Sequence, residues 1–113
     1  MFENFIISKH GDVTTINVKL AITSLKDTQI LRQILDQVIR DQSLKIIIDL
    51  SSCEFVDSTF IGAMVVASKI LRANEGEMKV IVKNENVNKI FEYMELPRIF
   101  KINKTLEEAL VNF

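Results

Sequence analysis

The chain has 113 residues, 48% of them hydrophobic and 26% charged, which is typical of one globular domain and excludes a long disordered segment. Its 14 basic and 15 acidic residues leave a net charge of −1, without the overall basic charge of most nucleic-acid-binding proteins. One cysteine, Cys53, excludes an internal disulfide, and no cluster of cysteine and histidine indicates a metal site. The N-terminal residues resemble no secretory signal, and no apolar run is long enough to span a membrane, so we expect a cytoplasmic protein.

Two β-prone segments open the chain, residues 4–9 and 13–20, on either side of a turn signal at His10-Gly11-Asp12. Two such runs about a short turn containing glycine predict an antiparallel hairpin. A helix follows, because apolar residues recur on one stripe and polar residues occupy the opposite face. Ser24 or Asp27 is expected to cap its start. The apolar stripe consists of Ile30, Leu31, Ile34, Leu35, Val38 and Ile39.

The middle of the chain predicts a buried strand and a buried helix. Residues 45–50 form a short continuous run rich in β-branched side chains, which is typical of a central strand covered on both faces. Residues 59–73 are predicted to be helical and are apolar nearly all round. A helix of that composition is either largely buried or presents one face to a partner.

The last third of the chain continues the alternation of strand and helix. Residues 78–83 and 99–102 are predicted strands, and a capping box of Thr105 and Glu108 predicts a terminal helix over residues 106–112. Between these strands, spacing of i, i+3, i+4 and i+7 predicts a short helix. The residues with this spacing are Val87, Ile90, Phe91 and Met94. We assign the methionine and phenylalanine residues at helical spacing, Met64, Phe91 and Met94, to the core. The order ββαβαβαβα predicts an α/β fold in which most neighbouring strands are parallel.

The entry into the second helix carries Asp57, Ser58 and Thr59, and two interpretations compete there. In the first, these side chains only cap the free N–H groups of the first helical turn. In the second, the Ser58 hydroxyl is displayed for phosphorylation. A phosphate adds about −1.5 to −2 charges, and the helix dipole tolerates an anion at this end. Modification would then change what can dock there without unfolding the domain.

Several motifs resemble the STAS domain family, and in particular the bacterial anti-sigma factor antagonists, whose pattern is close to DLS-x-x-x-F-[IVM]-D-S-[ST]-G-L-G. The matching residues, in the same order and spacing, are Asp49-Leu50-Ser51, Phe55-Val56-Asp57-Ser58-Thr59 and Gly62, followed by Gly76-Glu77-Met78, Met94-Glu95-Leu96 through Phe100, and Glu107-Glu108-Ala109-Leu110. The resemblance implies one STAS domain over residues 1–113. It also implies a mixed sheet, with an N-terminal hairpin and parallel strands, and helices packed mainly on one face.

The resemblance further implies a phosphorylation-controlled partner switch that regulates transcription. The unmodified antagonist would bind an anti-sigma factor that is also a serine kinase, and so free a sigma factor. That kinase would phosphorylate Ser58 with ATP, and a separate phosphatase would reverse the modification. Asp57 would order the loop and contact the partner, and Thr59 is the weaker phosphoacceptor. The protein would be a kinase substrate and not an enzyme, with no cofactor, no direct contact to nucleic acid and no membrane insertion.

The chain departs from the family pattern in two places, which leaves the identity of the partner open. Phe60 stands where the pattern has glycine, and Ile61 replaces leucine. At an exposed helix start, Phe60 would block the usual partner or, with Ile61, contact a different one. Leu20-Ala21-Ile22-Thr23 replaces a G-x-[LI]-D segment and lacks both its glycine and its aspartate. The alternative is an unmodified STAS accessory module, for example of a membrane transport system, in which Ser58 only caps the helix.

Catalytic chemistry has little support in the sequence. A Ser–His–acid triad would need His10 beside Ser58, and the tip of a hairpin gives no reason to expect that. Cys53 has no cationic sequence neighbour that would activate its thiol. A phospho-aspartate receiver site needs a pair of acidic residues after the first strand, and residues 18–20 supply none.

Overall fold

A computed structural model describes residues 3–113, which form a five-stranded sheet and four α-helices. The strands are β1 (Phe5–His10), β2 (Val13–Val18), β3 (Lys45–Asp49), β4 (Glu77–Ile81) and β5 (Lys101–Asn103). The helices are α1 (Leu25–Arg40), α2 (Ser58–Ala73), α3 (Glu85–Tyr93) and α4 (Leu106–Leu110), with a short 3-10 helix at Leu96–Arg98. Every predicted element is present in the predicted order, and the α/β assignment is confirmed.

The sheet has the spatial order β1-β2-β3-β4-β5, in which β1 pairs antiparallel with β2 and the other pairs are parallel. Helices α1, α2 and α3 cover one face of it. Ile16, Ile48 and Val80 are paired across three neighbouring strands, point to that face and are fully buried. Because side chains alternate along a strand, their sequence neighbours point to the other face.

A smaller apolar cluster covers part of the opposite face. Val13, Ile47 and Ile81 pack there against Ala109 of α4. Both faces of β3 are therefore buried, which confirms the interpretation of residues 45–50 as a central strand. Three helices lie on one face and only the short α4 on the other, as the family resemblance implied. No helix within residues 3–113 is both long enough and apolar enough to cross a membrane.

The capping predictions are confirmed at α1 and partly confirmed at α4. The Ser24 hydroxyl accepts the N–H of Asp27 at 3.4 Å, and the Asp27 carboxylate accepts the N–H of Ser24 at 2.9 Å. Thr105 accepts the N–H of Glu108 at 3.1 Å. The Glu108 carboxylate, however, accepts from the backbone N–H of Lys104, one residue earlier than in a capping box.

The assignment of Met94 to the core is wrong, because its side chain is 40% exposed. Helix α3 ends at Tyr93, and Met94 is its C-cap. Glu95 follows with a left-handed φ of 56°, which turns the chain away from the helix axis. Met94 itself still donates its backbone N–H to the carbonyl oxygen of Ile90 at 3.0 Å, so its side chain stands in helical phase at the exposed end of α3.

Lys79 of β4 is a buried charged residue that ties the C-terminal segment to the sheet. Its side chain is 1% exposed, and Nζ donates hydrogen bonds to the carbonyl oxygens of Ala109 at 2.8 Å and Val111 at 3.0 Å. The ammonium group also lies 4.4 Å from the centre of the Phe113 ring. Burial lowers the pKa of Lys79, and the nearby Glu77 carboxylate opposes that shift. The carbonyls and the ring compensate the ammonium for its lost water.

Replacing Lys79 by methionine should destabilise the domain by about 2 kcal/mol, because two carbonyl oxygens lose a charged donor. Amide exchange in residues 106–113 should accelerate more than exchange in β3. Lys69→Met, at an exposed position of α2, is the matched control and should change the unfolding free energy by less than about 0.5 kcal/mol. Equal effects of the two substitutions in denaturant titrations would contradict the role assigned to Lys79.

Candidate functional site

Two loops run side by side at the carboxyl edge of β2 and β3. The carbonyl oxygen of Ala21 accepts the N–H groups of Glu54 at 2.7 Å and Phe55 at 3.0 Å, and Ile22 forms a parallel bridge with Phe55. The parallel pairing of β2 with β3 therefore resumes in the two loops that follow these strands. As a result, the first turns of α1 and α2 lie next to each other, and the hydroxyl oxygens of Thr28 and Thr59 are 3.5 Å apart.

The Asp57 carboxylate joins these two loops instead of capping α2. Asp57 occupies the N-cap position, but its side chain forms no cap hydrogen bond. Its Oδ1 accepts the hydroxyl of Thr23 at 2.6 Å, and its Oδ2 accepts the hydroxyl of Thr59. The backbone N–H of Asp57 donates to the Thr23 hydroxyl oxygen at 3.1 Å. The strongest hydrogen bonds of the Asp57 side chain therefore run to Thr23 and Thr59 and not to the N–H groups of α2.

These hydrogen bonds keep Asp57 ionised. Partial burial acts to raise the pKa of Asp57, but hydrogen bonds from the hydroxyls of Thr23 and Thr59, together with the backbone N–H groups of Asp57 and Phe60, outweigh it and hold that pKa below its ordinary value of 3.8. Asp57 therefore contributes stability above pH 3.8 that is lost as the pH falls through its lower folded-state pKa. At neutral pH the edge carries a fixed negative charge.

Ser58 is the first residue of α2, and its side chain is exposed. It lies at the N-terminal end of the helix, where backbone N–H groups lack partners within the helix itself. The Thr59 side chain is also exposed, but its hydroxyl is engaged with the Asp57 carboxylate. Of the two neighbouring hydroxyls, Ser58 is the one presented freely to an enzyme.

Phe60 and Ile61 point into the core, so the expectation that they lie on an exposed docking surface is wrong. Both side chains are at most 1% exposed, and the Phe60 ring lies 6.4 Å from that of Phe5 in a stacked arrangement. Each residue of a helix turns about 100° from the last, so positions just after Ser58 and Thr59 face the sheet. In this structure neither Phe60 nor Ile61 can contact a docked partner.

The exposed apolar side chains at this edge come from residues that the sequence interpretation did not select. Ile22 and Leu25 are each 63% exposed, and Phe55 is 47% exposed. The sequence signal for them is that Ile22 and Phe55 each lie two residues before an N-cap, Ser24 or Asp57, and that Leu25 follows Ser24. We call the combined region the α2-start surface; it consists of Ile22, Leu25, Phe55, Asp57, Ser58 and Thr59.

Neither His10 nor Cys53 joins this surface as a catalytic group. His10 pairs with Val13 at the opposite edge of the sheet, one strand length of roughly 20 Å from Ser58. Cys53 is buried, and burial, aided by the negative charge of Asp49, raises the pKa of its thiol to about 11. Residues 3–113 contain no group of three or more potential ligands that could hold a metal ion.

A family model described as the STAS domain matches residues 4–109. The chain belongs to the STAS domain family. Its fold is shared with a Thermotoga maritima protein assigned to the anti-sigma factor antagonists, at a TM-score of 0.85 and 24% identity over 94% of this chain and 91% of that one. An anti-sigma factor antagonist from Mycobacterium paratuberculosis also aligns at 0.85, with 22% identity over 94% and 89%. The Bacillus cell fate determinant SpoIIAA, solved in its phosphorylated form, aligns at 0.74, with 18% identity over 94% and 96%.

The two phenylalanines near the start of α2, Phe55 and Phe60, should differ in how much their replacement by alanine lowers the unfolding free energy. Phe60→Ala should lower the unfolding free energy by about 3–5 kcal/mol, because it empties a buried ring position. Phe55→Ala should cost less than about 1 kcal/mol, since its ring is half exposed. Urea unfolding followed by circular dichroism distinguishes them, and a larger loss for Phe55→Ala would contradict the assignment.

Thr23→Val should raise the pKa of Asp57, because the substitution keeps the shape of the side chain but removes a hydroxyl donor. Stability above pH 3.8 should fall by about 1.5 kcal/mol. The difference from the wild type should shrink as the pH drops below that value. Thr23→Ser keeps the donor and is the control. Carboxyl NMR titration reports the pKa directly, and an unchanged Asp57 pKa in Thr23→Val would refute the coupling.

Proposed function

We propose that this STAS domain is an anti-sigma factor antagonist, and that phosphorylation of Ser58 by its anti-sigma factor, a serine kinase, switches off their binding. The observation that carries the proposal is the placement of Ser58. Its hydroxyl lies in the open at the first turn of α2, while the neighbouring Thr59 hydroxyl is bonded to Asp57. A kinase that operates in the cytoplasm, where ATP is present, would find one accessible acceptor here.

The helix start can accept a phosphate without unfolding. The Ser58 oxygen would form a bond to the γ-phosphorus of ATP as the bond to the ADP oxygen breaks, and a base of the kinase would take the hydroxyl proton. The resulting dianion would lie at the positive end of a 16-residue helix. The core below, including the buried Phe60, need not move.

The same phosphate would oppose docking at the α2-start surface. That surface is apolar at Ile22, Leu25 and Phe55 and already carries the ionised Asp57, with the exposed Glu54 beside it. A partner that covers it must meet the Asp57 carboxylate and exclude water from the apolar side chains. Two further negative charges at Ser58 would have to be desolvated there. A penalty of about 3 kcal/mol weakens binding roughly a hundredfold.

The comparisons support this proposal at the level of fold. The aligned SpoIIAA structure holds a protein of this fold in a phosphorylated form, so the architecture is compatible with the modification. A phosphatase that removes phosphate from Ser58 would complete the cycle. In this scheme the STAS domain is a substrate and a binding protein, and it catalyses neither step.

Ser58→Ala should abolish phosphorylation by the cognate kinase, whereas Thr59→Ala should remain a substrate. Incubation with that kinase and ATP, followed by peptide mass spectrometry, identifies the modified residue. Protein carrying phosphoserine at position 58 should bind the anti-sigma factor about a hundredfold more weakly than unmodified protein in calorimetry. Phosphate on any other residue would exclude the proposed site. Undiminished binding after modification would favour the alternative of an unmodified assembly module.

A further inference from the structure

Strand β1 lies at one end of the sheet, and its outer edge pairs with no other strand of residues 3–113. All of its residues except Phe5 are exposed. Ile6 is 48% exposed and Ile7 is 46% exposed, on opposite faces of the strand. Proteins usually protect such an edge with several charges, a proline or a bulge, whereas β1 carries a single charge at Lys9. The edge is therefore open to another β-strand.

The pairing of β1 with β2 determines which backbone groups of β1 face outward. The carbonyl oxygen of Asn4 accepts the N–H of Lys19 at 2.7 Å, so the backbone of Asn4 is bonded toward β2. In an antiparallel pair, residues bonded to the neighbouring strand alternate with residues whose N–H and C=O groups point away from it. Phe5, Ile7 and Lys9 therefore direct their backbone groups to the open edge, where they can bond a further strand.

The residues of this edge are self-complementary about Ile6. Glu3 lies three positions before Ile6 and Lys9 lies three positions after it, and both charged side chains are exposed. Neither takes part in an ion pair within residues 3–113. If two copies of the strand lie antiparallel with Ile6 opposite Ile6, Glu3 of each copy comes beside Lys9 of the other.

We propose that β1 pairs antiparallel with β1 of a second copy of this chain, with Ile6 at the two-fold axis. Phe5 of each copy would exchange backbone hydrogen bonds with Ile7 of the other, since both residues point outward. The two half-exposed Ile6 side chains would cover each other. The two symmetric pairs of Glu3 with Lys9 favour a second copy over an unrelated strand, and the closed two-fold contact leaves no free β1 edge.

Two neighbouring registers would also bond the outward backbone groups, but they match the side chains less well. With Ile7 on the axis, Lys9 lies opposite the buried Phe5 of the other copy. With Ser8 on the axis, Lys9 lies opposite Ile7, and the two lysines approach each other diagonally. Of these three registers, the one centred on Ile6 is the one that places a carboxylate beside each lysine.

Cysteine cross-linking tests both the contact and its register. Ile6→Cys and Ser8→Cys place thiols on the same face of β1 at exposed positions, so neither substitution opens the core. In the proposed dimer the two residues at position 6 are directly opposed, with Cα atoms about 4.5 Å apart, which a disulfide can bridge. The two residues at position 8 would be roughly 14 Å apart. Oxidation should therefore link Ile6→Cys into a dimer and leave Ser8→Cys largely unlinked, and the buried Cys53 of the wild type gives the background.

Sedimentation equilibrium tests the charge pairing. One added strand pair buries less surface than a standard interface, so we expect a Kd of roughly 1–100 μM for a dimer of the 12.9 kDa chain. Glu3→Lys and Lys9→Glu should each weaken the dimer about tenfold, because each places like charges opposite one another twice. The double exchange should restore the affinity to within about threefold. Glu92→Lys, an exposed position on α3, makes the same change of charge away from this edge and should leave the affinity within about twofold.

A chain that stays monomeric at about 1 mM, ten times the highest expected Kd, would overturn the proposal. Stronger linking of Ser8→Cys than of Ile6→Cys would overturn its register, and equal effects of Glu3→Lys and Glu92→Lys would overturn its charge pairing. Ser58→Ala removes the proposed phosphoacceptor and should dimerise as the wild type does. Failure of the phosphorylation switch and failure of the β1 contact are therefore separately visible.

Discussion

The paired hydrogen bonds between Thr23 and Asp57 are the interaction on which the candidate site depends. They join two loops that are 34 residues apart in sequence and hold the first turns of α1 and α2 next to each other. The Asp57 carboxylate also accepts the hydroxyl of Thr59 in the first turn of its own helix. The arrangement orders the carboxyl edge of the sheet and keeps a negative charge in place.

Helix α2 is apolar on most of its surface, but its two faces have different surroundings: the inner face is buried and the outer face is exposed. Its inward side, with Phe60, Ile61 and Met64, belongs to the core. Its outward side begins at Ser58 and continues through Val66 and Ile70. A rigid, packed inner face allows charge or a partner to be added on the outer face without rearrangement of the core.

Local patterns predicted most of the fold. The β-branched run of β3, the stripe of α1 and the cap at Ser24 are all recognisable from neighbouring residues, since periodicity and capping are short-range effects. The predicted loop-to-helix junction at Asp57 and Ser58 is also present, since α2 begins at Ser58. The partner of Asp57 was not predictable in this way, because Thr23 comes near it only when β2 and β3 pair.

The amino-acid pattern alone determines that the chain alternates strands and helices, that α2 is too apolar to be a free surface helix, and that hydroxyls and a carboxylate stand at its start. Which side of each helix meets the sheet is decided only when the elements pack, since helical phase relative to a neighbour is a long-range property. Packing turned Phe60 inward and left Phe55 and Ile22 exposed. Met94, at the end of α3, is likewise exposed although its spacing suggested the core. The local sequence therefore determines which chemical groups stand at the site, and the packing of the helices on the sheet determines which of them are exposed.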